Sequence, residues 1–208
     1  MDKAFSVFEN YNMAVEESYD RIFSRNKAGD ILKEKEEGIL KQVDADLAIW
    51  AGVPLSDLDG LTPKDYFDGL ASLEEVEAHF RLGAKLCDKD VPEPLVDKIK
   101  AFGNDGVGML LKLASDSALI HHTDDFLIPL MAVKILGNWK VGGAVSALMD
   151  VLAGCNEEDE AVIESIANTL VDIGNTAVDP ILQVLENTQT IGCTEAVSYT
   201  HLRAHETV

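Results

Sequence analysis

Basic residues, cysteines and aromatics are all scarce in this chain. Lysine and arginine together number 17, against 37 aspartates and glutamates, for a formal charge of −20. Nucleic-acid phosphates are held by clustered Lys and Arg, so this balance argues against DNA or RNA as a main partner. It argues equally against docking on anionic lipid. The three cysteines, Cys87, Cys155 and Cys193, are odd in number and widely spaced, with no CxxC pair. That is neither a disulfide framework nor a zinc pattern, and it reads as free thiols in a reduced compartment. No apolar run approaches the roughly 18 residues of a membrane span. Met1-Asp2-Lys3-Ala4-Phe5 has no basic stretch leading into an apolar one, so no signal peptide is expected and the chain reads as cytoplasmic. Alternating Val/Ile/Thr runs bounded by Asn-Gly turns are missing too, which excludes a β fold. Neither a P-loop, a dinucleotide fingerprint nor GxSxG occurs, so no catalytic and no cofactor-binding residue is assigned.

What is present is helical periodicity. Hydrophobic residues make up 47% of 208 residues, enough to build a sizeable core. Phe5, Phe8, Val15, Tyr19 and Ile22 form one stripe, and Leu32, Ile39, Val43, Leu47 and Trp50 form another, stopped by Gly52-Val53-Pro54. Thr62-Pro63-Lys64-Asp65 has the form of a helix start, with Thr62 as cap, Pro63 at the first helical position and Asp65 reaching back. Ser72-Leu73-Glu74-Glu75 repeats that logic for a helix running to about Cys87, with Val76, Phe80, Leu82 and Leu86 as its apolar positions.

From about Asp90 the chain repeats itself. Phe102-Gly103-Asn104 and the residues to Leu113 align without a gap to Ile173-Gly174-Asn175 and the residues to Val184. Leu136-Gly137-Asn138 lies between them, followed after a longer turn by an apolar segment from Ala144 to Leu152. An apolar helix is expected before each Gly-Asn pair (Leu95 to Phe102, Phe126 to Leu136, Val162 to Ile173) and a second one after it. Glycine can end the first helix in a left-handed conformation at low steric cost, and the polar residues that follow can cap the second. Pro180 is expected in the first turn of its helix, where its missing N–H loses no bond. Gly103, Asn104, Gly137, Asn138, Gly174 and Asn175 are thus read as repeat-turn residues. Amphipathic helix pairs of this kind cannot cover their own apolar faces and stack into arrays.

Over about residues 90–190 this pattern resembles the HEAT-like repeat family, in particular the short repeats named after phycobiliprotein lyases. It lacks the arginine often found in the first helix of those repeats, and Lys98 and Lys134 are the nearest stand-ins. The resemblance implies an all-α fold, a right-handed α-solenoid of stacked antiparallel helix pairs. Residues 1–90 would be a helical N-terminal cap and 91–196 about three repeats. It also raises an accessory role beside a chromophore lyase, for which no Cys or His stands out. DNA glycosylase chemistry is raised as well and is opposed by the acid excess. The paired His-Glu motifs of HEAT-repeat hydroxylases are absent apart from His205-Glu206.

The chain's end reads as having a separate origin. Val197-Ser198-Tyr199-Thr200-His201-Leu202-Arg203-Ala204-His205-Glu206-Thr207 resembles the translation, in one reading frame, of a sequencing adapter built on a transposon mosaic end. Residues 197–208 are accordingly expected to be a non-native tail, with native sequence ending near Thr194 to Ala196 and the array cut short.

Among the remaining candidates, His121-His122-Thr123-Asp124-Asp125 is the densest set of metal-ligand types. Adjacent residues point apart, so a helix cap at Thr123 or Asp124 is the better reading and no metal site is assigned. Asn156-Glu157-Glu158-Asp159-Glu160 lacks the alternating ligands and turn glycine of a calcium loop; Asn156 reads as the cap of a helix with an acidic first turn. Residues 141–196 hold ten acids (Asp150, Glu157, Glu158, Asp159, Glu160, Glu164, Asp172, Asp179, Glu186, Glu195) and no Lys or Arg. A field of one sign steers a partner of the other. The sequence therefore points to a non-enzymatic scaffold binding a basic protein, with Trp139, Asp150, Glu157, Glu158, Asp159 and Glu160 as candidate contacts. Trp50 and Trp139 otherwise read as partly buried helix-end aromatics.

Overall fold

Helix capping and apolar spacing decide the local structure, and every regular element they produce is a helix. The computed structural model describes residues 2–25, 36–87, 89–120, 125–156 and 159–187. Among these there are eleven α-helices and no strand. The expected caps at 123–124, the acids Glu157 and Glu158, Leu32 and the 197–208 tail lie outside the described residues. The chain divides into two compact units, Met1–Phe102 and Gly103–Val208.

The N-terminal unit contains α1 (Lys3–Arg25), α2 (Glu36–Trp50), a single 3-10 turn (Ser56–Leu58), α3 (Pro63–Asp68), α4 (Leu73–Leu86) and α5 (Glu93–Ala101). Helix α1 packs on α2, α4 and the 3-10 turn, while α5 packs on α3 and α4. The helix expected to open the array thus belongs to this unit's core, through Leu95 and Ile99. Thr62 caps α3 as its sequence dictates, its hydroxyl accepting from the Asp65 N–H at 3.0 Å. Ser72 and Glu75 close a full capping box on α4, and each cap of this kind contributes about 1 kcal/mol. The α1 stripe buries Phe8, Val15 and Ile22 but leaves Phe5 exposed, and Val7 and Tyr11 are buried beside it. Phe8 stacks at a tilt on Phe67, ring centres 5.9 Å apart. Gly83 makes room for it, since a Cβ there would lie 2.7 Å from the Phe8 ring. Trp50 ends α2, edge-on to Tyr11, with its indole N–H donated to Asn10 Oδ1 at 2.8 Å.

The C-terminal unit contains α6 (Asn104–Ala114), α7 (Ser117–Ile120), α8 (Leu127–Asn138), α9 (Val145–Gly154), α10 (Glu160–Ile173) and α11 (Asn175–Asn187). Helix α8 packs against α6 and α10, and α9 packs against α11; α10 also touches α9 and α11. The core is aliphatic, with Leu110, Leu113, Ile128, Leu136 and Leu148 fully buried.

Two of the three Gly-Asn pairs form turns. Gly103 (φ 58°, ψ −127°) precedes α6 and Gly174 (φ 73°, ψ −141°) precedes α11, both in backbone territory that side chains with a Cβ avoid. The expectation for Gly137-Asn138 has to be corrected, because both residues lie inside α8. The left-handed residue that ends this helix is Lys140 (φ 53°). Val141 N–H bonds to the Leu136 carbonyl at 3.1 Å and Lys140 N–H to that of Gly137 at 2.8 Å, the two bonds of a Schellman motif. Gly137 serves close helix approach instead. A Cβ there would sit 2.9 Å from Thr169 Oγ1 and 3.2 Å from its Cα. Thr169 itself is buried, donating to the Val133 carbonyl at 3.2 Å. Pro180 also departs from expectation: α11 begins at Asn175, so this proline falls beyond the first turn, inside the helix.

The helices that follow Gly103 and Gly174 are not equivalent either. The first joins the α6–α8–α10 contacts and the second pairs with α9. Sequence similarity across the Gly-Asn pairs reflects the shared turn chemistry, and does not carry a shared position in the packing.

Candidate protein-binding surface

The described acids of residues 141–196 occupy different settings. On α10, Glu160, Glu164 and Asp172 are exposed; Glu160 and Glu164, at i and i+4, share one face, and Asp172 at i+12 lies further round the same solvent-facing half of the helix. The opposite face, Val162, Ile166, Leu170 and Ile173, is buried. Asp150 on α9 and Asp179 on α11 are exposed as well. Asp159 is not a surface charge: it is 8% exposed. Its carboxylate accepts from the Asn156 N–H at 2.9 Å, and its own N–H donates to the Asn156 carbonyl at 3.1 Å. The expected cap at Asn156 has to be corrected: the N-cap of α10 is Asp159, which makes no side-chain cap bond to the helix. Asn156 lies three residues ahead of it, so these two bonds close the preceding turn and remove Asp159 from the set of available contacts. Trp139 closes α8 at its C-terminal cap, half-buried. The structure therefore brings Glu160 together with Glu164, one turn apart, places Asp172 at the other end of the same helix, and leaves Asp150 on a separate helix.

Asp150 borders a feature that carries no sequence signal. Between the α6–α7 turn and α9 lies a cleft of about 320 Å³, lined by Ser115, Ser117, Ile120, Ala147, Asp150, Val151, Gly154 and Cys155. Four of these residues come from α9 at i, i+3, i+4 and i+7, one continuous face of the helix. The element across from them is α7, only four residues long, too short to cover that face. Such an opening depends on where a chain break falls between packed helices, and no local motif could have announced it. Burial, with the Asp159 carboxylate adding to it, pushes the Cys155 thiol up to about 11, so at neutral pH it stays protonated and is a poor nucleophile.

In the N-terminal unit His79 is engaged structurally. Its Nδ1 lies 2.7 Å from the Glu75 carbonyl and its Nε2 lies 2.9 Å from the Tyr66 hydroxyl. The carbonyl can only accept, so Nδ1 carries the proton and Nε2 accepts from Tyr66. Among the described residues no group of three or more His, Cys, Asp or Glu side chains is placed to hold a metal ion. No described helix is long and apolar enough to cross a membrane. Compared with models of protein families, with curated proteins and with solved structures, the chain matches none.

Proposed function

We propose that this chain is a non-enzymatic helical-repeat scaffold that binds a basic protein through the acidic surface of its C-terminal unit. The observation that carries the reading is charge. Asp150, Glu160, Glu164, Asp172 and Asp179 are exposed on three successive helices, in a segment from 141 to 196 that has no Lys or Arg to neutralise them. The helix dipole favours Glu160 in the first turn of α10, but helix stability does not favour Glu164, Asp172 and Asp179, the first of them a like charge one turn from Glu160. A surface that attracts a cationic partner does.

In its finer form the proposal is an array of stacked antiparallel helix pairs, an α-solenoid of HEAT-like type, with the N-terminal helices as its cap. Two features support it. Helices α8 and α10 neighbour one another, as do α9 and α11, the pattern expected when pair α8–α9 stacks on pair α10–α11. The turn leading into α9 also lies against the start of α11, since a Cβ on Gly142 would be 3.5 Å from Thr176.

The test is affinity capture on the immobilised protein at low salt, followed by elution with rising salt. Captured proteins should be predominantly basic and should elute as the salt screens the contact. Capture of neutral proteins only, insensitive to salt, contradicts the proposal.

A further inference from the structure

The cleft between α7 and α9 has a chemistry as well as a shape. Its floor is apolar, with Ile120 and Val151 buried and Ala147 beside them. Asp150 stands at its edge, exposed, with no hydrogen bond or ion pair among the described residues. The Ser115 hydroxyl donates its proton to the Leu111 carbonyl at 2.6 Å, so toward any ligand this oxygen has only lone pairs to give. Asp150 and Ser115 thus offer acceptors, the Ser117 hydroxyl can donate or accept and the Cys155 thiol keeps its proton, and no basic side chain is among the described residues that line the cleft. A volume of about 320 Å³ sits at the low end of the range for ligand sites, roughly 300–1,000 Å³, which suits one long side chain better than a bulky cofactor. A ligand matching both parts needs an aliphatic stem and a cationic, donor-only head. Lysine and arginine side chains are built this way and lay their stems on apolar surface while the head meets an acceptor.

We infer that this cleft is the anchor point for a lysine or arginine side chain of the partner, the stem lying on Ile120, Ala147 and Val151 and the charged head meeting Asp150 and Ser115. The inference rests on the acidic-surface reading above and adds a defined pocket to it. The exposed acids on α10 and α11 draw the basic partner in, and the cleft selects where one of its side chains docks.

The probes are three fluorescein-labelled peptides of equal charge, with well-spaced lysines, arginines or short-stemmed 2,4-diaminobutyrates, titrated with the full chain at low salt and followed by anisotropy. The lysine or the arginine peptide should bind, and the better of the two identifies the preferred head. The diaminobutyrate peptide should bind about 10-fold more weakly, because its stem cannot cross the apolar floor. Ala147→Phe, which fills the cleft without changing charge, should weaken the better peptide by about 10-fold, and Asp150→Asn by a similar factor. Asp172→Asn removes the same charge from α10 and should shift binding less than about 3-fold. Asp150 is exposed, so its variant tests the site even if Ala147→Phe disturbs the fold. Equal binding of all three peptides, or equal losses for Asp150→Asn and Asp172→Asn, overturns the cleft while leaving the acidic surface standing. No binding of any peptide to the unaltered protein overturns the acidic-surface reading and the cleft with it.

Discussion

The N-terminal unit has an aromatic core, with Phe8, Phe67 and Phe80 fully buried, while the largest fully buried side chains of the C-terminal unit are leucine and isoleucine. The difference extends to the helix ends. Thr62 and Ser72 cap their helices through side chains in the N-terminal unit, whereas α6, α8, α9 and α10 begin with no side-chain cap bond. Polar contacts follow suit: in the first unit Ser18 and Arg21 share one oxygen of Asp46, at 2.7 and 3.1 Å. One unit is thus specified by rings, caps and polar contacts in fixed geometry. The other relies on aliphatic burial and close helix approach at Gly137, which leaves its outer faces free to carry acid. The two tryptophans, Trp50 and Trp139, fall one in each unit, so single-tryptophan variants can report on them separately.

The sharpest way to break this contrast is Phe8→Ala. Losing a fully buried ring should cost about 3–5 kcal/mol, read from urea unfolding by Trp50 fluorescence in a Trp139→Phe background. Next is Gly137→Ala, which should destabilise by about 1–3 kcal/mol through overpacking against Thr169. Thr169→Ala should recover part of that loss in the double variant, giving a measurable coupling; a neutral Gly137→Ala would contradict the close-approach role. Ser72→Ala should cost about 1 kcal/mol, visible with the Trp50 reporter. Lys140→Gly should stabilise by about 0.5–1 kcal/mol, relieving a left-handed backbone at a residue with a Cβ, detected by Trp139.

The smallest effect is a pH dependence. Cys155 ionises near 9.0 when unfolded and at about 11 when folded. The raised value means the folded state keeps its proton longer. This contribution is complete below about pH 9 and is lost as the pH rises toward 11. Because the residue is only half-buried, the change is small. The urea midpoint of the unaltered protein should fall slightly more than that of Cys155→Ser between about pH 8 and pH 10.

Local chemistry was legible in the sequence, and long-range chemistry was not. The starts of α3 and α4, the stop after Trp50 and the turns at Gly103 and Gly174 depend on residues within four positions of one another, and each is where its motif placed it. Gly137 looked like its two counterparts because the dipeptide is the same, yet its role is set by Thr169, 32 positions away. Phe5 and Val7 illustrate the same limit, since one-helix periodicity cannot tell which apolar residue of a turn is buried and which is left exposed. The acid-rich segment was visible as composition. That Asp159 is withdrawn into a turn while Asp150 borders a cleft follows from packing, which no spacing rule encodes.

The central claim, a basic partner held by the acidic C-terminal unit, is tested most directly by the salt dependence of lysine-peptide binding to the full chain. The account predicts measurable binding at low salt that weakens steeply as salt rises, in step with screening. Affinity that is flat across the same salt range, or no binding at the lowest salt, would contradict it.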